Sequence, residues 1–119
     1  MAFSTTARPE DSKIFYQQVL GLTLLEDGPS ALVFDANGTE LRVQKVSSVA
    51  PAGFTTLGWA VNGIEAVARK LADCNVPCEQ YAGMQQDPQG IWTTPIGSKV
   101  AWFRDPDGNI LSITEHATE

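Results

Sequence analysis

Apolar and polar positions alternate in short runs along this chain, and twice the alternation gives way to a helical period. Residues 9–20 carry Phe15, Tyr16, Val19 and Leu20 as one stripe, the spacing of a helix face. Pro9 suits the first helical position, Glu10 and Asp11 sit where the helix dipole favours acids, and Gly21 is placed to stop the helix. A second stripe, Ile64, Val67, Ala68 and Leu71, predicts a helix over residues 63–74, with Asn62 and Glu65 spaced as a capping box. The other runs read as strands. Residues 2–7, 22–26, 31–35 and 40–46 accompany the first helix, and residues 55–61, 78–81, 99–104 and 110–115 accompany the second.

The order strand, helix, three strands therefore occurs twice. The closing hairpins match without a gap: Ala31 meets Ala101, Asp35 meets Asp105, Gly38 meets Gly108, Leu41 meets Leu111 and Val43 meets Ile113. Asn37-Gly38 and Asp107-Gly108 are turn dipeptides, and Pro106 fits the first central position of a type I turn. The chain reads as an internal duplication. It is one α+β domain over residues 1–119, built from two βαβββ modules, 1–46 and 54–119, with a Pro/Gly/Ala/Ser linker at 47–53. The second module carries an insertion, residues 82–98, that includes Met84, Ile91 and Trp92. Loops of that length in a compact domain are usually functional or disordered, and these apolar residues favour a lid or pocket wall.

Composition narrows the function classes. The 119 residues are 43% hydrophobic and 18% charged, which suits a globular core. Eight Lys and Arg against fourteen Asp and Glu leave a net charge of −6, which argues against nucleic acid as a partner and, more weakly, against an anionic membrane. No apolar run is long enough to span a bilayer, and the N-terminus lacks the pattern of a secretory signal, so the expected compartment is the cytoplasm. Cys74 and Cys78 are too few for a zinc site, since only His116 remains to join them. A phosphate-binding loop, a dinucleotide fingerprint and a nucleophile elbow are all missing from the sequence, and His116 near the C-terminus is a poor general base.

Two segments carry a family likeness. Phe15-Tyr-Gln-Gln-Val-Leu-Gly-Leu22, and Ala101-Trp-Phe-Arg-Asp-Pro-Asp-Gly-Asn-Ile-Leu111 near the end, resemble the vicinal oxygen chelate superfamily. That group holds glyoxalases, extradiol dioxygenases, fosfomycin-resistance transferases and bleomycin-binding proteins. The resemblance implies curved mixed sheets around a cavity, and a homodimer. It also implies four metal positions, on the first and last strand of each module. Here the position four beyond the Gly of Asp-Pro-Asp-Gly is Ser112, its repeat partner is Arg42, and the second module's first strand supplies Thr56. The remaining position falls near Met1, with Phe3 and Thr5 next on that face. None of these is His, Glu, Asp or Cys, and a guanidinium cannot ligate a cation. The resemblance thus implies the fold and withholds its usual metal: no cofactor is expected.

Strand alternation sorts what remains. Leu41, Val43, Leu111 and Ile113 should pack under the helices, while Arg42, Gln44, Ser112 and Thr114 should face the cavity, joined by Thr56, Gly58 and Ala60. The family pattern puts Trp102 in the pocket, with Leu32 as its repeat partner and Trp92 from the insertion closing over them. The candidate ligand-binding residues are therefore Leu32, Arg42, Gln44, Thr56, Trp92, Trp102, Ser112 and Thr114. Two indoles suit a flat or cationic ligand, whereas Arg42 suits an anion unless Glu40 neutralises it. The expected function is metal-independent binding of a small molecule, as in bleomycin-resistance-type proteins, and the alternative is a metal-dependent glyoxalase-like lyase or dioxygenase.

Overall fold

A computed structural model describes residues 1–36, 38–50 and 53–116. Asn37 of the first predicted turn and positions 51–52 of the predicted linker lie outside them. The chain is an α+β protein with the order β1 (Ala2–Thr6), α1 (Pro9–Ile14), β2 (Thr23–Asp27), β3 (Ala31–Ala36), β4 (Thr39–Lys45), β5 (Thr55–Ala60), α2 (Ile64–Asp73), β6 (Trp92–Thr93), β7 (Lys99–Arg104) and β8 (Ile110–Glu115). It divides into two compact units: Met1–Ala52 with Asp105–Asn109, and Gly53–Arg104 with Ile110–Glu119. Among the described residues, no helix is long and apolar enough to cross a membrane.

The two sheets have the same internal order, β1-β4-β3-β2 in the first unit and β5-β8-β7-β6 in the second. In each, the first strand runs parallel to the last, and the others pair antiparallel. That shared order is what a duplicated βαβββ module produces.

In the first unit the predicted helix over 9–20 splits. Six residues are α-helical, and Phe15–Val19 form a wider π-helical turn closed by Leu20 N–H donating to Phe15 O at 3.1 Å. Gly21 ends it with φ +74°, a conformation that costs glycine little. Tyr16 is fully buried and its ring lies 5.5 Å from that of Phe34. Leu32, Phe34, Leu41 and Val43, at most 1% exposed, make the sheet side of this core.

The Asp-Pro-Asp-Gly-Asn segment belongs to this unit and brackets the turn between β1 and α1. The Asp105 carboxylate accepts the Tyr16 hydroxyl (2.9 Å), the Asn109 side-chain amide (2.9 Å), and the backbone N–H groups of Asp107 (3.0 Å) and Asn109 (2.9 Å). Asn109 also donates to Thr5 O at 3.2 Å. Asp107 accepts Ala7 N–H at 2.9 Å and the Ser12 hydroxyl at 3.2 Å, and Ser12 shares a 2.8 Å hydrogen bond with buried Thr6. Burial, and then the Asp105 charge, push the Tyr16 phenol well above its ordinary value. A raised folded-state value means the neutral phenol stabilises the fold below about pH 10 and loses that contribution as pH rises. Tyr16→Phe should cost about 1.5–3 kcal/mol at neutral pH and flatten the alkaline loss, as read by denaturant melts across pH.

In the second unit Ile64, Ala68 and Leu71 of α2, at most 3% exposed, pack on Ala101, Phe103, Leu111 and Ile113, at most 2% exposed. The helix start departs from the predicted capping box. Gly63 sits at the N-cap with φ +71°, and the carboxylate of Glu115 on β8 accepts both Gly63 N–H and Ile64 N–H. Glu65 instead accepts Lys99 Nζ at 2.8 Å, and that hydrogen bond holds its carboxyl below the usual range. A cap supplied from 51 residues away leaves no local signature.

Residues 78–81, predicted as a strand, make none. The edge strand is the two-residue β6, inside the insertion. One ladder-like bond survives, Glu79 N–H donating to Trp102 O at 2.7 Å. The neighbour that a strand would need is replaced by a side chain. The Gln86 carboxamide accepts Tyr81 N–H at 2.7 Å and donates to Glu79 O at 2.8 Å and Gly90 O at 2.7 Å. Asp87 holds the next turn by accepting the N–H groups of Gln89 and Ile91. Ile91, 4% exposed, anchors the loop in the core.

Candidate functional site

The register of the second sheet gathers the predicted residues on one face. Trp102 pairs with Ser112, and Ser112 pairs in turn with Gly58. Val100 pairs with Thr114 and with Trp92, and Thr114 pairs with Ala60. Paired residues share a face, so this set lies opposite the Ala101 and Phe103 that pack on α2. A Cβ at position 58 would come 2.7 Å from Ser112 Oγ, so glycine leaves the notch that the serine hydroxyl fills. Thr56 lies where the β5–β8 register is irregular, and its hydroxyl donates to Ile110 O at 3.3 Å.

Three rings meet on this face. Trp92 and Trp102 stack with centroids 6.3 Å apart and an interplanar angle of 29°. Tyr81 stands edge-on to Trp102 at 5.7 Å and 70°. Tyr81 is not among the sequence candidates, because the sequence does not distinguish it from an ordinary strand residue. Its only signal was an aromatic side chain at the mouth of the insertion. All three rings are half-buried. Beside them Arg104 donates to Glu79, so that guanidinium is matched by a carboxylate.

In the first unit Arg42 and Gln44 share a face of β4, paired with Phe3 and Thr5 of β1. Arg42 Nε donates to Glu40 Oε2 at 3.0 Å, so the acid two residues away neutralises it. Leu32 departs from the expectation. It pairs with Val43, is 1% exposed, and lies with Phe34 and Leu41 in the core rather than with Arg42. The cause is hairpin length. Ala36 pairs with Thr39 across two residues, whereas Arg104 pairs with Ile110 across five. The two hairpins are thus one residue out of register, and a one-residue slip sends a side chain to the other face.

The donors at the four implied metal positions do not fit a divalent cation. Arg42 is a cation bound to Glu40, Ser112 and Thr56 offer neutral hydroxyls, and Phe3 offers a hydrocarbon ring. Among the described residues, no three His, Cys, Asp or Glu side chains gather to hold an ion. Cys74 is exposed and Cys78 half-buried, and both are free thiols. Cys78 lines a hollow of about 190 Å³ with Ala68, Arg69, Ala72, Pro77, Pro88 and Gln89, where burial pushes its thiol up and keeps it protonated.

The family model described as Glyoxalase/Bleomycin resistance protein/Dioxygenase superfamily matches residues 3–113. No curated protein matches the chain. Solved structures do. A lactoylglutathione lyase from Agrobacterium tumefaciens aligns with TM-score 0.73 and 17% identity, over 97% of this chain and 92% of that one. A superfamily member from Sphaerobacter thermophilus gives 0.74 and 20%, over 97% and 94%. TioX from Micromonospora sp. ML1 gives 0.70 and 17%, over 98% and 96%. At these identities the likeness is one of fold.

Proposed function

Because this chain belongs to the Glyoxalase/Bleomycin resistance protein/Dioxygenase superfamily, we propose that it binds a small planar aromatic molecule without a metal, as bleomycin-resistance-type members do. The observation that carries this reading is what stands at the positions where the family's enzymes place metal ligands. One is Arg42, already engaged by Glu40, and another is Ser112, paired with Trp102 and tucked against Gly58. A site of stacked indoles with a few hydroxyls is the usual profile of a pocket for a flat organic ligand. The charge question left open by the sequence also narrows. Arg42 and Arg104 each hold a carboxylate, so neither is free to demand an anion.

The test has two parts. Protein purified without chelator and dialysed against zinc, nickel, manganese or iron should retain far less than one ion per chain by elemental analysis. Planar aromatic compounds should raise its thermal midpoint and shift its indole resonances. Stoichiometric metal retention would overturn the proposal in favour of a glyoxalase-like lyase or dioxygenase.

A further inference from the structure

We propose that Tyr81 is the specificity-determining contact of this site, donating its phenolic hydrogen to an acceptor atom on the ligand's ring edge, and that Gln86 is the residue that positions it. The inference rests on the binding function proposed above and names what that site selects. Tyr81 stands edge-on to Trp102, 5.7 Å between centroids, so its ring forms a wall against the indole stack rather than a third layer of it. No described residue hydrogen-bonds its hydroxyl, and since no buried side-chain oxygen among the described residues is unpaired, that hydroxyl is open to solvent and within reach of a ligand. A solvent-open hydroxyl beside two indoles can exchange water for an acceptor atom on a ligand stacked there. Burial, and then the nearby Glu79 carboxylate, push the phenol above its ordinary value, so it stays protonated and acts as a donor. The matching ligand is a planar aromatic ring carrying a neutral acceptor such as a ring nitrogen or a carbonyl.

The position of Tyr81 does not come from a sheet. Its backbone N–H is held by the Gln86 carboxamide, which simultaneously ties Glu79 O and Gly90 O. One side chain therefore fixes both the Tyr81 wall and the start of the strand that delivers Trp92. The bridge between Gln86 and Trp92 reinforces that coupling. Gly90 is confined at the same point, since a Cβ there would lie 2.9 Å from Cys78 Cβ.

Quinoline and naphthalene separate the parts of this proposal, because they share shape and differ by one ring nitrogen. NMR titration of the wild-type indole signals should show quinoline binding roughly fivefold more tightly than naphthalene, the size of one net neutral hydrogen bond. Tyr81→Phe should bring that ratio to about one and leave naphthalene affinity unchanged. Gln86→Met keeps the side-chain length and deletes the three bonds. It should abolish the preference and weaken the far-ultraviolet exciton couplet of the stacked indoles. Should that variant fail to fold, amide exchange on the wild type serves instead: Tyr81 N–H should exchange at least about tenfold more slowly than the unstructured rate. If quinoline and naphthalene bind equally and Tyr81→Phe changes nothing, the role of Tyr81 is overturned while the binding function stands. If neither compound binds, both readings fall. A Gln86→Met variant with full couplet and full preference, or an unprotected Tyr81 amide, would overturn the role of Gln86.

Discussion

Asp105→Ala is expected to lower the stability of the fold by about 4 kcal/mol, seen as a drop of roughly 15 °C in the thermal midpoint by circular dichroism. The Asp105 carboxylate receives four donors: the Tyr16 hydroxyl, the Asn109 side-chain amide and two backbone N–H groups. Tyr16 is fully buried and Asn109 is 5% exposed, so water cannot readily replace the lost acceptor. A buried donor left unpaired costs about 1–3 kcal/mol, and the backbone donors of the turn can recover part of theirs from solvent. Asp105→Asn, which keeps one acceptor oxygen, should fall between wild type and alanine. A midpoint within about 3 °C of wild type for Asp105→Ala would mean that the bracket is ornamental.

Trp102→Ala should weaken binding of a planar aromatic such as quinoline by about 30-fold or more, measured by isothermal titration, because central aromatic anchors typically carry 2–4 kcal/mol. Trp102 touches both other rings, so its removal leaves Tyr81 and Trp92 without a common surface. The fold should survive. Trp102 is half-buried on the face opposite the α2 core, and its strand neighbours Ala101 and Phe103, both 0% exposed, hold β7 in place. Trp102→Phe should restore most of the affinity. Unchanged binding in Trp102→Ala would remove the aromatic cluster from the site.

The sequence made some of this legible and hid the rest for physical reasons. Periodicity found both helical stripes, and turn chemistry found both hairpins, because these are interactions between near neighbours. Alternation placed Ser112 with Thr114 on one face of β8 and Arg42 with Gln44 on one face of β4, while Trp102, which the register pairs with Ser112, came from the family resemblance. The repeat alignment failed for Leu32, since matching two hairpins by their glycines says nothing about how many residues each loop uses. The strand expected at 78–81 was hidden differently. Its partner is the Gln86 side chain, and no period reports that a carboxamide will stand in for a strand. The Glu115 cap on α2 is likewise non-local. Asp105 and Asp107 pointed to a turn and to a family, but their work inside the first unit depends on Tyr16 and Ser12, 89 and 95 positions away.

That last separation has a consequence for how the protein is made. The first unit cannot close its polar bracket until residues 105–109 have been synthesised, although its own strands and helix end by Lys45. During translation the Ala7 N–H, the Ser12 hydroxyl and the Tyr16 hydroxyl lack their carboxylate acceptors until residues 105–109 have emerged. Contacts between such distant stretches slow folding. The nascent first unit therefore emerges as a dependent fragment, open to chaperones and proteases until that segment joins it.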